Sequence, residues 1–173
     1  TGMVGKFNAL PEGKFLGGLH TSIYRKPKPG LTIQQMRRYL RYHLFPRKIA
    51  AFRSVTSFKH DLETPVFVDQ VATNSAILRG RDMPPYSYMR GSQKFVDVRL
   101  ALWCLEQGIM AVALPRKAGW LSTEPDEHSI FTRFTQKHPR HVATEIRCFA
   151  FKRTYVGQRC GDDVTQKIEV SSA

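Results

Sequence analysis

Acidic residues are scarce in this chain: 14 Asp and Glu stand against 27 Lys and Arg, a formal net charge of +13. That imbalance favours anionic partners, whether nucleic acid, phosphorylated substrates or an acidic membrane surface, without choosing among them. No apolar run approaches the roughly 20 residues that cross a bilayer and no compact hydrophobic leader opens the sequence, so a protein that does not span a membrane is expected. Cys104, Cys148 and Cys160 are an odd count, too far apart for a zinc clip, which argues against a disulfide framework and for a reducing, cytoplasmic compartment. The glycine-rich GKFLGG run lacks the spacing and the terminal Lys-Ser/Thr of a phosphate loop. Internal repeats, helix-turn-helix, zinc-finger and RNA-recognition signatures are also missing.

What is present is an ordinary globular composition: 173 residues, 42% apolar and 24% charged, enough for one domain with a sizeable core. Its clearest stretch is 95–121, FVDVRLALWCLEQGIMAVALPRKAGWL. Leu100, Ala101, Trp103, Cys104 and Leu105 have helical spacing, and Gly108 is placed to end the helix. Asp97 falls at or near the helix N-terminus, where free backbone donors favour an ionised carboxylate, so an N-cap is its plain structural reading. Residues 109–114 then read as a buried strand ended by Pro115 and followed by Arg116 and Lys117.

Upstream, the Gly and Pro density of residues 1–31 predicts loops around at most short strands such as 20–24, with GKFLGG irregular. Thr32 with Gln35 makes a capping box for a helix carrying Ile33, Met36, Tyr39 and Leu40, running to about Leu44 before Pro46. Arg37, Arg38, Arg41, Arg47 and Lys48 form a basic cluster on its other face and exit, read as a solvated face, an anion-binding or membrane-facing surface, or a surface covered by another part of the protein. Residues 52–61 suit a strand or ordered loop, and 66–68 a short strand. The VATNSAIL run at 71–78 sets Thr73, Asn74 and Ser75 between aliphatics, as in a site wall or a strand with a polar turn. Arg79 and Arg81 could hold a phosphate or carboxylate, or pair with Asp69 or Asp82. Tyr86 and Tyr88 belong to a loop; Ile130, Phe131 and Phe134 suggest a helix; residues 142–151 alternate as a strand would. His20, His43 and His60 are isolated and read as ordinary histidines, and Asp162-Asp163 as a solvated turn.

Three segments, VDQVATNSAILR at 68–79, VDVRLALWCLEQGIMAVALPRKAGWL at 96–121 and EHSIFTRF at 127–134, together resemble the second, acceptor-side half of an inverting nucleotide-sugar glycosyltransferase of the GT-A family 2 type. The resemblance covers about residues 55–138 and implies an α/β fold, a mixed sheet with flanking helices forming part of a GT-A domain. It implies transfer of a sugar from a nucleotide-diphospho-sugar to a hydroxyl acceptor with inversion. Asp97 matches the general base, although the acid that often precedes it is Val96 here. By the same resemblance Arg79, Arg116 and Trp120 fall at substrate-binding positions and His128 at a metal or diphosphate position, with a divalent Mg or Mn ion as the expected cofactor. No Asp-x-Asp precedes residue 68, where the family carries its metal motif. The resemblance therefore implies a donor-binding half that is not visible, and an isolated acceptor half is not expected to turn over substrate.

The expected organisation is a basic, loop-rich and helical segment at 1–50, a transferase-like α/β core at 51–145, and a C-terminal strand with a polar tail at 146–173. The competing reading is a basic nucleic-acid-binding domain, a component of a ribonucleoprotein assembly, acting through Arg37, Arg38, Arg41, Arg47 and Lys48. Peripheral contact with a membrane surface is compatible with either.

Overall fold

The computed structural model describes residues 2–45, 49, 52–92, 95–121 and 140–161. They form a mixed α/β fold in which two sheets are flanked by helices. The larger sheet has strand order β4-β7-β1-β6, with β1 at Phe15–Gly18, β4 at Val66–Phe67, β6 at Ala76–Leu78 and β7 at Met110–Ala113. β1 and β7 run parallel, Phe15 opposite Met110 and Gly18 opposite Ala113, while β6 and β4 are antiparallel to them. The smaller sheet is β3-β2-β5, antiparallel throughout, with β2 at Thr21–Tyr24, β3 at Arg53–Thr56 and β5 at Gln70–Val71.

The GKFLGG run, expected to be irregular, contributes the strand at the heart of the larger sheet. Every residue of β1 is buried, so it carries no polar alternation for a sequence pattern to register. Its glycines answer to packing: a Cβ on Gly18 would overlap Val71 Cγ1 and lie 3.0 Å from the Ser75 carbonyl, and one on Gly17 would lie 2.8 Å from Phe7. Side chains alternate across this sheet with the strand period of two. Phe15, Met110, Val112 and Leu114 meet Phe7 of helix α1 (Met3–Asn8) on one face, and Leu16, Ala111 and Ala113 meet Leu100 and Cys104 of helix α4 (Val96–Glu106) on the other. A short helix, α3 (Tyr86–Met89), precedes α4. Gly108, at φ +65°, provides the left-handed residue after α4 that returns the chain into β7.

Residues 142–151, expected as a strand, fall mostly in helix α5 (Arg140–Phe149). Val142, Ala143, Ile146, Phe149 and Ala150 are the buried residues, a helical stripe, while Cys148, which would share a strand face with Val142 and Ile146, is exposed. α5 packs on α4 through these residues and through Arg99 Nη1, which donates to Glu145 Oε1 at 3.0 Å. Helix α2 (Ile33–Leu44) starts with the expected capping box: Thr32 Oγ1 accepts the Gln35 N–H and Gln35 Oε1 accepts the Thr32 N–H. None of its residues is fully buried.

Candidate functional site at the carboxyl ends of β1 and β7

The chain crosses from the larger to the smaller sheet twice, at Leu19–His20 after β1 and at Val68–Asp69 after β4. The first crossing lies at the carboxyl end of the parallel pair β1 and β7, the edge at which open α/β sheets leave a crevice for ligands. Here Leu19 N–H donates to the Ser75 carbonyl, His20 N–H to Ser75 Oγ at 3.1 Å, and Ala72 N–H to the His20 carbonyl at 2.8 Å. The polar Thr73-Asn74-Ser75 turn, which opens into β6 opposite Gly18, is thereby fastened over the end of β1.

Asp97 arrives from the other side. It sits in the first turn of α4, but Phe95 occupies the N-cap position, so the carboxylate is not spent on capping its own helix. Instead Thr73 Oγ1 donates to Asp97 Oδ1 at 2.9 Å in an exposed setting, and Oδ2 takes no hydrogen bond among the described residues. Because α4 turns through Gly108 and runs back into β7, the start of the helix and the end of the strand lie at the same edge.

His20 reports the electrostatics of this edge. Burial lowers its pKa below the ordinary histidine value, the Arg53 charge lowers it further, Asp97 raises it, and Arg116 again lowers it. His20, Arg53, Asp97 and Arg116 thus lie within electrostatic reach of one imidazole, which is held neutral near pH 7. Toward the beginning of β7, past the bond from Val68 N–H to the Ala111 carbonyl, Asp69 is buried at 3% exposure, its Oδ2 accepting the Tyr24 N–H at 2.7 Å, and burial pushes its pKa up to about 6 against the pull of that N–H and of Arg153. Tyr24 donates its hydroxyl to Gln70 Oε1 at 2.9 Å, and burial pushes its pKa up to about 12.

The other residues singled out in the sequence are distributed unevenly. Arg116 is at the right edge but 3% exposed: Nε and Nη2 donate to the Ser57 carbonyl and Nη1 to that of Leu114. It fastens the segment after β3 to the end of β7 and contributes to the crevice through its field; removal from water lowers its pKa. Trp120 follows the same strand, 43% exposed, with Lys6 Nζ 4.5 Å from its ring. Beside Arg116 lies a pocket of about 640 Å³ lined by Lys6, Asp61, Leu62, Glu63 and residues 115–117. Arg79 is not brought to this edge: it follows Leu78, which pairs with Leu16 toward the beginning of β1, and so lies exposed at the opposite end of the sheet. Arg37, Arg38 and Arg41 are exposed on α2. His128, Arg47 and Lys48 lie outside the described residues, as do Phe131, Phe134 and Asp162-Asp163.

Among the described residues no three His, Cys, Asp or Glu side chains converge as a metal site would require. No helix among them is long and apolar enough to cross a membrane. No protein-family model matches the sequence, and a search of curated proteins returns no match.

His20 and Arg53 carry no motif that marks them in the sequence; Arg53, Asp97 and Arg116 are 33 to 96 positions from His20, and only strand pairing assembles them. Thr73 and Ser75 did leave a signal, as small polar residues interrupting an aliphatic run.

Proposed function

We propose that the described chain is the acceptor-side half of an inverting nucleotide-sugar glycosyltransferase of the GT-A family 2 type, with Asp97 as general base. The observation that carries this reading is the Asp97 carboxylate, held by Thr73 through one oxygen at the carboxyl edge of two parallel strands, with no hydrogen bond to the other oxygen among the described residues.

A sugar hydroxyl is far too weakly acidic to ionise at neutral pH, so its oxygen becomes a competent nucleophile only as a base takes the proton. In the proposed step the acceptor hydroxyl hydrogen-bonds to Asp97 Oδ2 and its oxygen attacks the anomeric carbon. The bond from that carbon to the nucleoside diphosphate breaks on the opposite face, the leaving diphosphate keeps the electron pair, and the proton remains on Asp97. Thr73 holds the carboxylate plane against rotation, so the basic lone pair points one way. Neutral His20 can donate to or accept from an acceptor hydroxyl, and the fields of Arg53 and Arg116 favour the negative charge that develops on the leaving group. Among the described residues no three His, Cys, Asp or Glu side chains converge to hold a divalent ion, and His128 lies outside them.

The test is transfer by this chain joined to a donor-binding half of the same family, from a panel of uridine and guanosine diphospho-sugars to saccharide acceptors, read as released nucleoside diphosphate, together with NMR of the histidine resonances of the chain alone during acceptor titration. Asp97→Asn is expected to lower transfer by about 10²–10⁴-fold. Acceptors are expected to shift the His20 signals, a readout that does not require the donor-binding half. Absence of both turnover and any His20 perturbation across the panel would overturn the reading.

A further inference from the structure

Helix α2 is amphipathic in the unusual sense: its apolar stripe faces away from the protein. Ile33, Met36, Leu40 and Leu44 are spaced i, i+3, i+7 and i+11, which at about 100° per residue confines them to an arc of about 80°. They are 74%, 43%, 46% and 67% exposed, and Leu31 before the helix and Phe45 after it extend the apolar surface at 106% and 52%. The body of the protein is met by the other side, where Tyr42 packs edge-on against Phe52 and Phe151, with ring centroids 5.2 and 5.9 Å apart. Arg38 lies 5.8 Å over the Phe52 ring on that same side.

An exposed apolar stripe alone does not name its occupant; the surrounding charge does. Every charged residue between Glu12 and Asp61 is basic, and α2 contains no acid. Arg37 and Arg41 border the stripe along one side, and Lys26 and Lys28 precede it. Arginine stems of this length lie along an apolar surface while their guanidinium groups reach outward to anions. A second copy of the chain docked on this stripe would bring Arg37 and Arg41 against their own counterparts in a molecule already at +13. At 12 residues the helix is about 18 Å long, too short to span a bilayer and suited to lying in its surface.

We infer that α2 is a membrane-surface helix that seats Ile33, Met36, Leu40 and Leu44 among the acyl chains of an anionic lipid leaflet, with Arg37 and Arg41 on the lipid phosphates. This stands independently of the transferase reading, since it uses no residue of the β1/β7 edge.

The experiment is co-sedimentation of the full chain with phosphatidylcholine vesicles with and without phosphatidylserine, at low and high salt, alongside Leu40→Glu and the double variant Arg37→Gln/Arg41→Gln. Both alter exposed side chains, and circular dichroism checks that the fold is retained. Binding is expected only to the anionic vesicles and to weaken with salt. The double arginine variant should bind about 25-fold more weakly, about fivefold per guanidinium, and Leu40→Glu at least tenfold more weakly. A Leu40→Trp variant should show blue-shifted emission, relative to its own spectrum in buffer, only with anionic vesicles. The proposal is overturned by absent vesicle binding, by equal binding to neutral vesicles, or by Leu40→Glu binding as tightly as the native chain, which would reduce the interaction to surface charge. It is overturned equally if the native chain is a dimer that Leu40→Glu dissociates, or if oligonucleotides rather than vesicles are bound and Leu40→Glu leaves that binding intact.

Discussion

Thr73 Oγ1 donates to Asp97 Oδ1 at 2.9 Å, joining the turn that caps the end of β1 to the first turn of α4 across 24 residues of sequence. The bond is solvent-exposed, so its contribution to stability is small, on the order of 1 kcal/mol or less. Its consequence is orientation of the carboxylate. Thr73→Val should therefore leave thermal stability nearly unchanged while lowering the proposed sugar transfer, assayed with a donor-binding half joined to the chain, about tenfold, and Thr73→Ser should restore most of it. Rates and melting temperatures of the two variants check this; equal rates for Val and Ser would show that the hydroxyl does not position Asp97.

The clustering of charges at the edge is testable without any substrate. His20 is expected to titrate by NMR below the ordinary histidine value near 6.5, because burial and Arg53 disfavour its charged form. Asp97→Asn removes a charge that raises the pKa, so the midpoint should fall further, and Arg53→Gln should raise it. An unchanged midpoint in both variants would mean that these side chains do not share a site.

Asp69 makes stability depend on pH. Its folded pKa, about 6, lies above the value of about 3.9 expected in the unfolded chain. Between those values the folded state binds more protons than the unfolded one, so this residue's contribution to stability falls as pH rises from about 4 to about 6, by roughly 3 kcal/mol at most. Asp69→Asn keeps an oxygen for the Tyr24 N–H and removes the ionisation. Urea unfolding of both proteins across that window should show the native chain losing stability relative to Asp69→Asn as pH rises; a constant difference would refute the assignment.

Gly18 is required for closeness, since a methyl group there would collide with Val71 and the Ser75 carbonyl. Gly18→Ala should destabilise the protein by about 1–3 kcal/mol and, because Ser75 accepts the His20 N–H, displace the His20 resonances as well. Gly80→Ala, with open space around the added Cβ, is the control expected to be near neutral. Denaturation midpoints compare the two.

The parts of this fold that could be read along the chain are those whose determinants are local. The Thr32/Gln35 capping box, the helical spacing of Leu100, Ala101 and Cys104, Gly108 at the turn and the aliphatic run into β7 each act within a few residues of sequence, and each forms as its pattern implies. Even the apolar stripe of α2 is written in the sequence, but which way it faces is not, because that depends on Tyr42 finding Phe52 and Phe151.

Tertiary structure decided the rest. Residues 142–150 satisfy both a strand and a helix period, and packing against Val98 and Ala101 of α4 selects the helix. A strand buried on both faces needs no alternation, so Phe15–Gly18 gives no sign of being central until β6, β7 and Val71 surround it. The sequence by itself determined where Asp97 stands on its helix, near enough to the start for its carboxylate to be free of the helical ladder. Only the pairing of β1 with β7 and β6 brought Thr73 and His20 to it, because hydrogen-bonded strands carry distant residues to one edge in a way that no local spacing encodes.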